Sequence, residues 1–338
     1  MYYIIGHTNN NIPIVTTNLN FLDLLGNVKV RCSIFRNNYK VKPGLYAVGT
    51  PDKNSDVLVT ANYKLSFDHL RKNLIGINAW ILVLDTKGIN VWCAAGKGTF
   101  GTKELISKIQ EFLIDKIVEH KKIIVPQLGA VGVSAHEVKN ATGFNVKYGP
   151  VRATDLKAFL SNSYRADKKM RTVFFSFKDR LILTPIEFIG HLNYFIFLLA
   201  IVFILSCFKN ATFNVDNAFS YFKVPLLNLF SAYIVGTIIT PILLPFIPTR
   251  NFAFKGIFLA IILFVILLLF NVFGNSVLEI ISFFFLNIAI ASFTTMNFTG
   301  ASTFTSLSGV KKEMKIAIPI QIILFVVGIV IWTVTRFI

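Results

Sequence analysis

From about residue 188 the chain runs as long apolar stretches with short polar breaks, at about 189–208, 224–246, 254–274, 277–298 and 316–336. Each is near the ~20 residues that cross a bilayer as a helix. Five such runs are too many for the core of one soluble domain, so the pattern predicts an all-α transmembrane domain of five helices over 188–338. Pro241 and Pro245 fall in the second run and predict a kink, which membrane helices tolerate when neighbours satisfy the freed carbonyls. No run carries a charged residue near its middle, and Glu279 sits near one end. Because a transport pathway usually needs such groups, the pattern favours an anchor or docking platform over a transporter.

Residues 1–187 follow shorter periods. Asp56–Ala61, Ala79–Asp85, Gly88–Trp92, Lys122–Pro126 and Arg171–Phe177 read as strands, the last paired with Leu181–Thr184 through a turn at Lys178-Asp179. A helix is predicted from an N-cap at Thr102 to about His120, with Leu105, Ile109, Leu113 and Ile117 as its buried stripe. Strands alternating with helices predict an α/β, Rossmann-like domain over 1–187.

Composition sharpens this division. Charged residues make up 15% of the 338 and mean hydropathy is +0.62, whereas a soluble chain carries about 25% charge. Residues 1–187 hold 26 of the 34 basic and 14 of the 17 acidic side chains. The net charge of +17 does not point to nucleic acid, because the basic residues are scattered. Anionic lipid accounts for them, including the run Arg165, Lys168, Lys169, Arg171, Lys178 and Arg180 before the first apolar stretch. With 1–187 in the cytoplasm, Arg250, Lys255, Lys311, Lys312 and Lys315 lie inside and only Lys209, Lys223 and Arg336 outside. The positive-inside rule then puts the domain on the cytoplasmic side of the cell inner membrane and the C-terminus outside. MYYIIGHTNNN has neither a basic n-region nor an apolar h-region, so no signal peptide is expected.

Three cysteines, Cys32, Cys93 and Cys207, form no disulfide framework and are too few for an iron–sulfur cluster. Cys32 reads as core in a strand-like stretch and Cys207 as packing within a membrane span. His7, His69, His120, His136 and His191 stand at no metal-ligand spacing, and the Asp-x-His-x-x-Gly motif of histidine-ligated cobalamin proteins is absent. Gly96-Lys97-Gly98-Thr99-Phe100-Gly101 satisfies G-x-G-x-x-G, but Glu119 lies on a helix where a dinucleotide site needs an acid ending a strand. A P-loop fails because Val91 stands where its first glycine should be. The glycines instead let the backbone pass close to something flat and large.

The chemistry concentrates in Asn90-Val91-Trp92-Cys93-Ala94-Ala95-Gly96-Lys97-Gly98-Thr99. This reads as a cysteine at a strand end, in a turn of small residues before a helix. A lone cysteine there is ordinarily a small buried hydrophobe, but a following helix N-terminus and Lys97 favour a thiolate. A thiolate is a soft ligand for a late transition metal.

This stretch resembles the signature of the HgcA family, the membrane-bound corrinoid proteins of microbial mercury methylation. Pro43–Pro51, Asp56–Tyr63 and Asp179–Pro185 resemble the corrinoid domain of the corrinoid iron–sulfur protein large subunit, a likeness over roughly residues 40–187. The resemblance implies a cobalamin-type corrinoid, with the Cys93 thiolate as lower axial ligand of cobalt. It also implies cofactor contacts from Asn90, Trp92, Ala94, Ala95, Gly96 and Lys97. Loops at the strand ends add Thr60, Ser66, Gly132, Val133 and Ala153, for which ordinary turn chemistry is an equal account.

The implied activity is methyl transfer from cobalt to inorganic mercury. Implied partners are an HgcB-like ferredoxin carrying iron–sulfur clusters, a methyl-donor protein or methyl-folate enzyme, and membrane lipid. Mercuric ion is an electrophile, so the methyl must leave as a carbanion or radical equivalent, and a charged thiolate suits that better than imidazole. Two other classes stay open: a corrinoid methyl carrier of one-carbon metabolism with a different acceptor, and a nucleotide-binding regulatory domain on a membrane platform.

Overall fold

The computed structural model describes residues 3–273 and 276–338. Its contacts divide the chain into a unit of residues 1–30 and 34–174 and a second of 31–33 and 175–338. Helix Phe177–Gly190 therefore lies in the second unit and runs across residue 187.

The first unit is an α/β domain around a mixed seven-stranded sheet. Its elements are β1 (Ile4–His7), β2 (Pro13–Val15), α1 (Phe21–Arg31), β3 (Gly44–Val48), β4 (Asp56–Ala61), α2 (Lys64–Lys72), β5 (Ala79–Leu84), α3 (Val91–Lys97), α4 (Thr102–Glu111), α5 (Ile114–Ile117), β6 (Lys122–Val125), α6 (Ala135–Thr142), β7 (Asn145–Tyr148), α7 (Leu156–Ser161) and α8 (Lys168–Arg171). The strand order is β1-β2-β3-β5-β4-β6-β7. β5, β4, β6 and β7 are mutually parallel, while β3 runs antiparallel to β5. β4 and β5 alternate between two apolar layers. Val57, Val59, Trp80 and Leu82 pack with Val91, Ala94, Ala95 and Leu105, and Leu58, Ile81 and Val83 pack with Phe67, Leu74 and Phe159. Helices cover both faces, which is why these strands read as unbroken apolar runs. From β4 the chain steps one way to β5, then crosses back to β6 on the other side. The direction of winding reverses between β4 and β6.

Several expected elements differ. Gly88–Trp92 is no strand: Asn90 caps α3, and Val91, Ala94 and Ala95 are its buried stripe at helical spacing. The predicted helix at 102–120 is capped at Gly101 and stops at Glu111, because Leu113 takes a left-handed conformation; Leu113 is exposed and Ile114 fills the core instead. Arg171–Phe177 and Leu181–Thr184 form no hairpin. Ser176 makes a capping box with Asp179 and starts a helix through the second segment. Cys32 lies half-buried in the turn after α1, not in a strand.

The second unit is helical, from α9 (Phe177–Gly190) and α10 (Leu192–Ser206) through α11 (Val215–Tyr221), α12 (Lys223–Ile234), α13 (Thr240–Leu243), α14 (Phe252–Leu269) and α15 (Val277–Asn297) to α16 (Leu307–Phe337). Among the described residues four helices are long and apolar enough to cross a membrane, or five if the pair α9–α10, bent by 48°, counts as one span. The expected run 254–274 becomes a helix ending at Leu269, and residue 274 lies outside the described residues. Cys207 is buried at the end of α10. A π turn at Val235–Ile239 joins α12 to α13, and the helix stops at Leu243, ahead of Pro245. Buried cations take up carbonyls near this break: Lys255 Nζ donates to Leu244 O (2.6 Å) and Ile247 O (2.7 Å), and Arg180 Nε donates to Ile242 O (3.0 Å). This is how a broken apolar helix keeps its backbone satisfied without water.

Candidate functional site

At the carboxyl ends of β4 and β6 the first unit opens a cleft of about 490 Å³. Open α/β sheets bind ligands in such a crevice where the winding reverses. Thr60 closes the end of β4, Ser66 and His69 come from α2, Asn90 and Trp92 from the start of α3, Pro126 follows β6, and Gly149–Ala153 follow β7. Thr60, Ser66, Asn90, Trp92 and Ala153, drawn from three separate strand-to-helix connections, are thus neighbours around one opening.

Two layers of hydrogen bonds hold α3 at its edge. Asn62, buried just after β4, accepts at Oδ1 from Thr86 N (3.1 Å) and Gly88 N (2.9 Å), and its Nδ2 donates to Asp85 Oδ1 (3.1 Å). Its side chain thereby ties down the turn after β5, where Gly88 has φ +77°. Lys87 hydrogen-bonds Asp85 and holds that carboxyl below the usual range. Two residues beyond Gly88, Asn90 Oδ1 accepts from Cys93 N at 2.9 Å, the N-cap bond that starts the helix.

Cys93 therefore stands in the first turn of α3, not in a turn before it. Its free thiol is exposed, one residue beyond Trp92, which is 42% exposed on the cleft wall. Gly96 and Lys97 share the exposed side of the helix, and Ala94 and Ala95 face the core. Gly98 ends α3 at φ +80°. Gly132 and Val133 lie outside the cleft lining and pack beneath α3. A Cβ on Gly132 would collide with Phe100 O and stand 3.1 Å from Ala95 Cα, while Val133 is 2% exposed. Gly98 thus serves helix termination and Gly132 backbone-to-backbone packing, while Gly96 is exposed with open space around it.

Tyr63, His69 and Asn73 line the cleft without having been expected there. His69 and Asn73 are one helical turn apart, with Asn73 Nδ2 donating to His69 O at 2.7 Å. That i, i+4 spacing on α2, directly after the Thr60 strand, was the signal available. Among the described residues no three His, Cys, Asp or Glu side chains gather as a metal cage. Cys93 and residues 94–97 are not among the cleft-lining residues, but Cys93 directly follows Trp92, which is; a single exposed thiol there suits a metal that arrives with its other ligands already in place, as in a macrocycle.

Asn62→Leu is expected to leave the Thr86 and Gly88 amides buried without an acceptor, costing about 1–3 kcal/mol. Hydrogen exchange at those two amides should accelerate. Unchanged protection there would show that Asn62 does not hold the turn.

Residues 7–160 match the family model described as CO dehydrogenase/acetyl-CoA synthase delta subunit. This range begins before the expected likeness at residue 40 and stops before Asp179–Pro185, which lie in α9. The chain is 35% identical over 127 residues to the acetyl-CoA decarbonylase/synthase complex subunit gamma of Methanopyrus kandleri, and 30% identical over 131 residues to that of Archaeoglobus fulgidus. It is 30% identical over 122 residues to the corrinoid/iron-sulfur protein large subunit of Moorella thermoacetica. These matches cover 36–38% of this chain and 27% of each relative, so the chain spans about a quarter of the length of the curated proteins it matches. The α/β domain is thus similar to the corrinoid/iron-sulfur protein large subunit.

Proposed function

We propose that this chain is a membrane-anchored corrinoid protein of the HgcA kind, transferring a methyl group to inorganic mercury. The observation that carries the reading is Cys93. It is an exposed cysteine on a capped helix, next in the chain to Trp92 of the cleft wall at the winding reversal, in a domain similar to a corrinoid/iron-sulfur protein subunit. Bound in the cleft, the corrinoid would supply a cobalt centre that carries the methyl group.

The chain's own residues do the rest. Cys93 would offer the metal a soft sulfur donor, and Asn90 and Asn62 fix the helix that presents it. Trp92 would give a cofactor in the cleft an apolar wall, and Thr60, Ser66 and Ala153 would hold it among small groups. Low-potential electrons would come from a separate iron–sulfur protein, because Cys32, Cys93 and Cys207 lie on different elements. The helical unit would hold the domain at the cytoplasmic face of the membrane, with residues 1–187 inside and Ile338 outside.

The test is the visible spectrum of purified full-length protein reconstituted with a corrinoid, for wild type and Cys93→Ala. A thiolate-dependent difference supports the assignment, and identical spectra rule out Cys93 as ligand. A second reading, a methyl carrier of one-carbon metabolism, is favoured by the gamma-subunit relatives. Presenting mercuric ion and a thiol acceptor side by side to the methylated protein distinguishes the two.

A further inference from the structure

The apolar stripe of α1 faces outward. Phe21, Leu24, Leu25 and Val28 follow the i, i+3, i+4, i+7 spacing of a single helix face, the pattern that ordinarily packs on a core. Here all four are between 37% and 74% exposed. The domain holds the opposite face instead. Asp23 is buried in ion pairs with Lys64 and Arg71, Val30 is buried, and a Cβ on Gly26 would collide with the Tyr39 ring. Asn20 and Asp23 cap the helix start reciprocally: Asn20 Oδ1 accepts from Asp23 N at 2.9 Å, and Asp23 Oδ2 accepts from Asn20 N at 3.1 Å. Turning the stripe inward would break the Asp23 ion pairs, so the outward apolar face is built into the fold.

Charge and chain path identify what covers that face. At about 100° per residue, Lys29 falls on one edge of the stripe and Arg31 on the other. From Leu24 to Thr50 the chain carries Lys29, Arg31, Arg36, Lys40 and Lys42 and no acidic residue. Ile34 and Phe35, directly after the helix, add two more exposed apolar side chains. The chain leaving α1 joins the helical unit. Arg31–Ser33 belong to that unit, and there Ser33 Oγ donates at 3.1 Å to Ile186 O of α9, the helix that leads into apolar α10. A membrane crossed by the helical unit is therefore reached along the chain within a few residues of α1. An apolar face edged by basic side chains is the composition of a helix lying in a lipid interface.

We propose that α1 is an in-plane membrane helix, its apolar stripe entering the surface of an anionic leaflet while Lys29 and Arg31 meet the lipid phosphates. The contact would continue into the cleft, because Asp23 on the inner face of α1 pairs with Lys64 and Arg71 of α2, which carries Ser66 and His69. The proposal rests on the membrane reading of the helical unit and on no part of the corrinoid or mercury chemistry.

The experiment places a nitroxide at Leu25→Cys, Val28→Cys, Lys139→Cys or Ile262→Cys in the full chain carrying Cys32→Ser, Cys93→Ser and Cys207→Ser. Lys139 is exposed on α6 and Ile262 lies in the middle of α14. Each chain is held singly in a nanodisc of phosphatidylcholine with or without phosphatidylglycerol. Collisions with oxygen, which concentrates in lipid, are compared with those of a water-soluble nickel chelate. Circular dichroism matching the unsubstituted chain marks a folded sample. The labels at Leu25 and Val28 are expected to favour oxygen, at a depth of about 5–10 Å into the head-group and acyl boundary. Ile262 should read deeper and Lys139 wet. Phosphatidylglycerol should raise the inserted fraction of the α1 labels, and Lys29→Glu should remove that increment. Leu25 and Val28 as open to nickel as Lys139, with Ile262 still deep, would overturn the proposal and leave the spanning reading standing. Low collision with both reagents, the mark of a face covered by protein, would also overturn it. A wet Ile262 would remove the spanning reading and the proposal together. Insertion indifferent to phosphatidylglycerol and to Lys29→Glu would overturn the anionic leaflet as its partner.

Discussion

Cys93→Ala is expected to abolish the proposed methylation of mercuric ion, lowering it by more than about a hundredfold, the upper range for disturbing a metal's ligand environment. The fold should survive. The side chain is exposed, and the helix cap uses only the Cys93 backbone amide, bound to Asn90 at 2.9 Å. Cys93→His separates ligation from charge. It offers the metal a donor from the same position, so corrinoid binding should persist, but the donor is neutral and methylation should stay poor. The readout is methylmercury formed by full-length protein in membranes with mercuric ion and a low-potential reductant, alongside the visible spectrum. Wild-type rates and an unchanged spectrum in Cys93→Ala would sink the mechanism. A histidine variant as active as wild type would show that thiolate charge is not the property that matters.

The elements legible in the chain were those buried on both sides. β4, β5 and β6 were found to within a residue because helices cover both faces of the sheet and leave continuous apolar runs. The long apolar helices were legible for a related reason, their apolar runs being long and almost free of charge. Short segments with one packed face were not. Val91, Ala94 and Ala95 are spaced for a helix, but Ile89, Val91 and Trp92 form an apolar cluster that imitates a strand end. Only the Asn90 cap and the Gly88 turn decide between them. The end of α4 at Glu111 rests on a left-handed Leu113, for which leucine gives no signal.

The candidate site shows the same split. Thr60 and Ser66 could be placed because loops at strand carboxyl ends converge in α/β sheets. Gly132 and Val133 could not, because small residues serve close backbone packing as readily as ligand approach, and here Gly132 lies against Ala95 and Phe100. His69 was set aside for lack of a metal-ligand partner, whereas its place in the cleft depends on which face of α2 turns toward β4.

That face is set by a buried charge cluster, which carries the second large effect. Lys64 Nζ pairs with Asp23 (2.5 Å) and Asp68 (2.7 Å), and Arg71 pairs with Asp23 (2.7 Å) and Asp68 (2.8 Å), all with side chains at most 5% exposed. Arg71 also donates to Thr16 O and Asn18 O, joining α2 to the N-terminal segment. Arg71→Ala leaves two buried carboxylates facing one lysine and should destabilise the α/β domain by about 3–5 kcal/mol, a large share of the stability of a domain this size. Burial alone would raise the Asp23 pKa, but hydrogen bonds from Lys64 and Arg71 outweigh it and hold the carboxyl below its ordinary 3.8. A carboxyl depressed by folding stabilises above its unfolded pKa and loses that contribution as pH falls through the folded value. Wild-type stability should therefore drop in acid below about pH 4, and Asp23→Asn should be weaker at neutral pH with a flatter acid limb. Urea-dependent pulse proteolysis of the full chain, read at the α/β domain across this range, measures both. An Arg71→Ala domain as resistant as wild type would mean that the cluster does not hold α2, and the cleft wall carrying Ser66 and His69 would need another explanation.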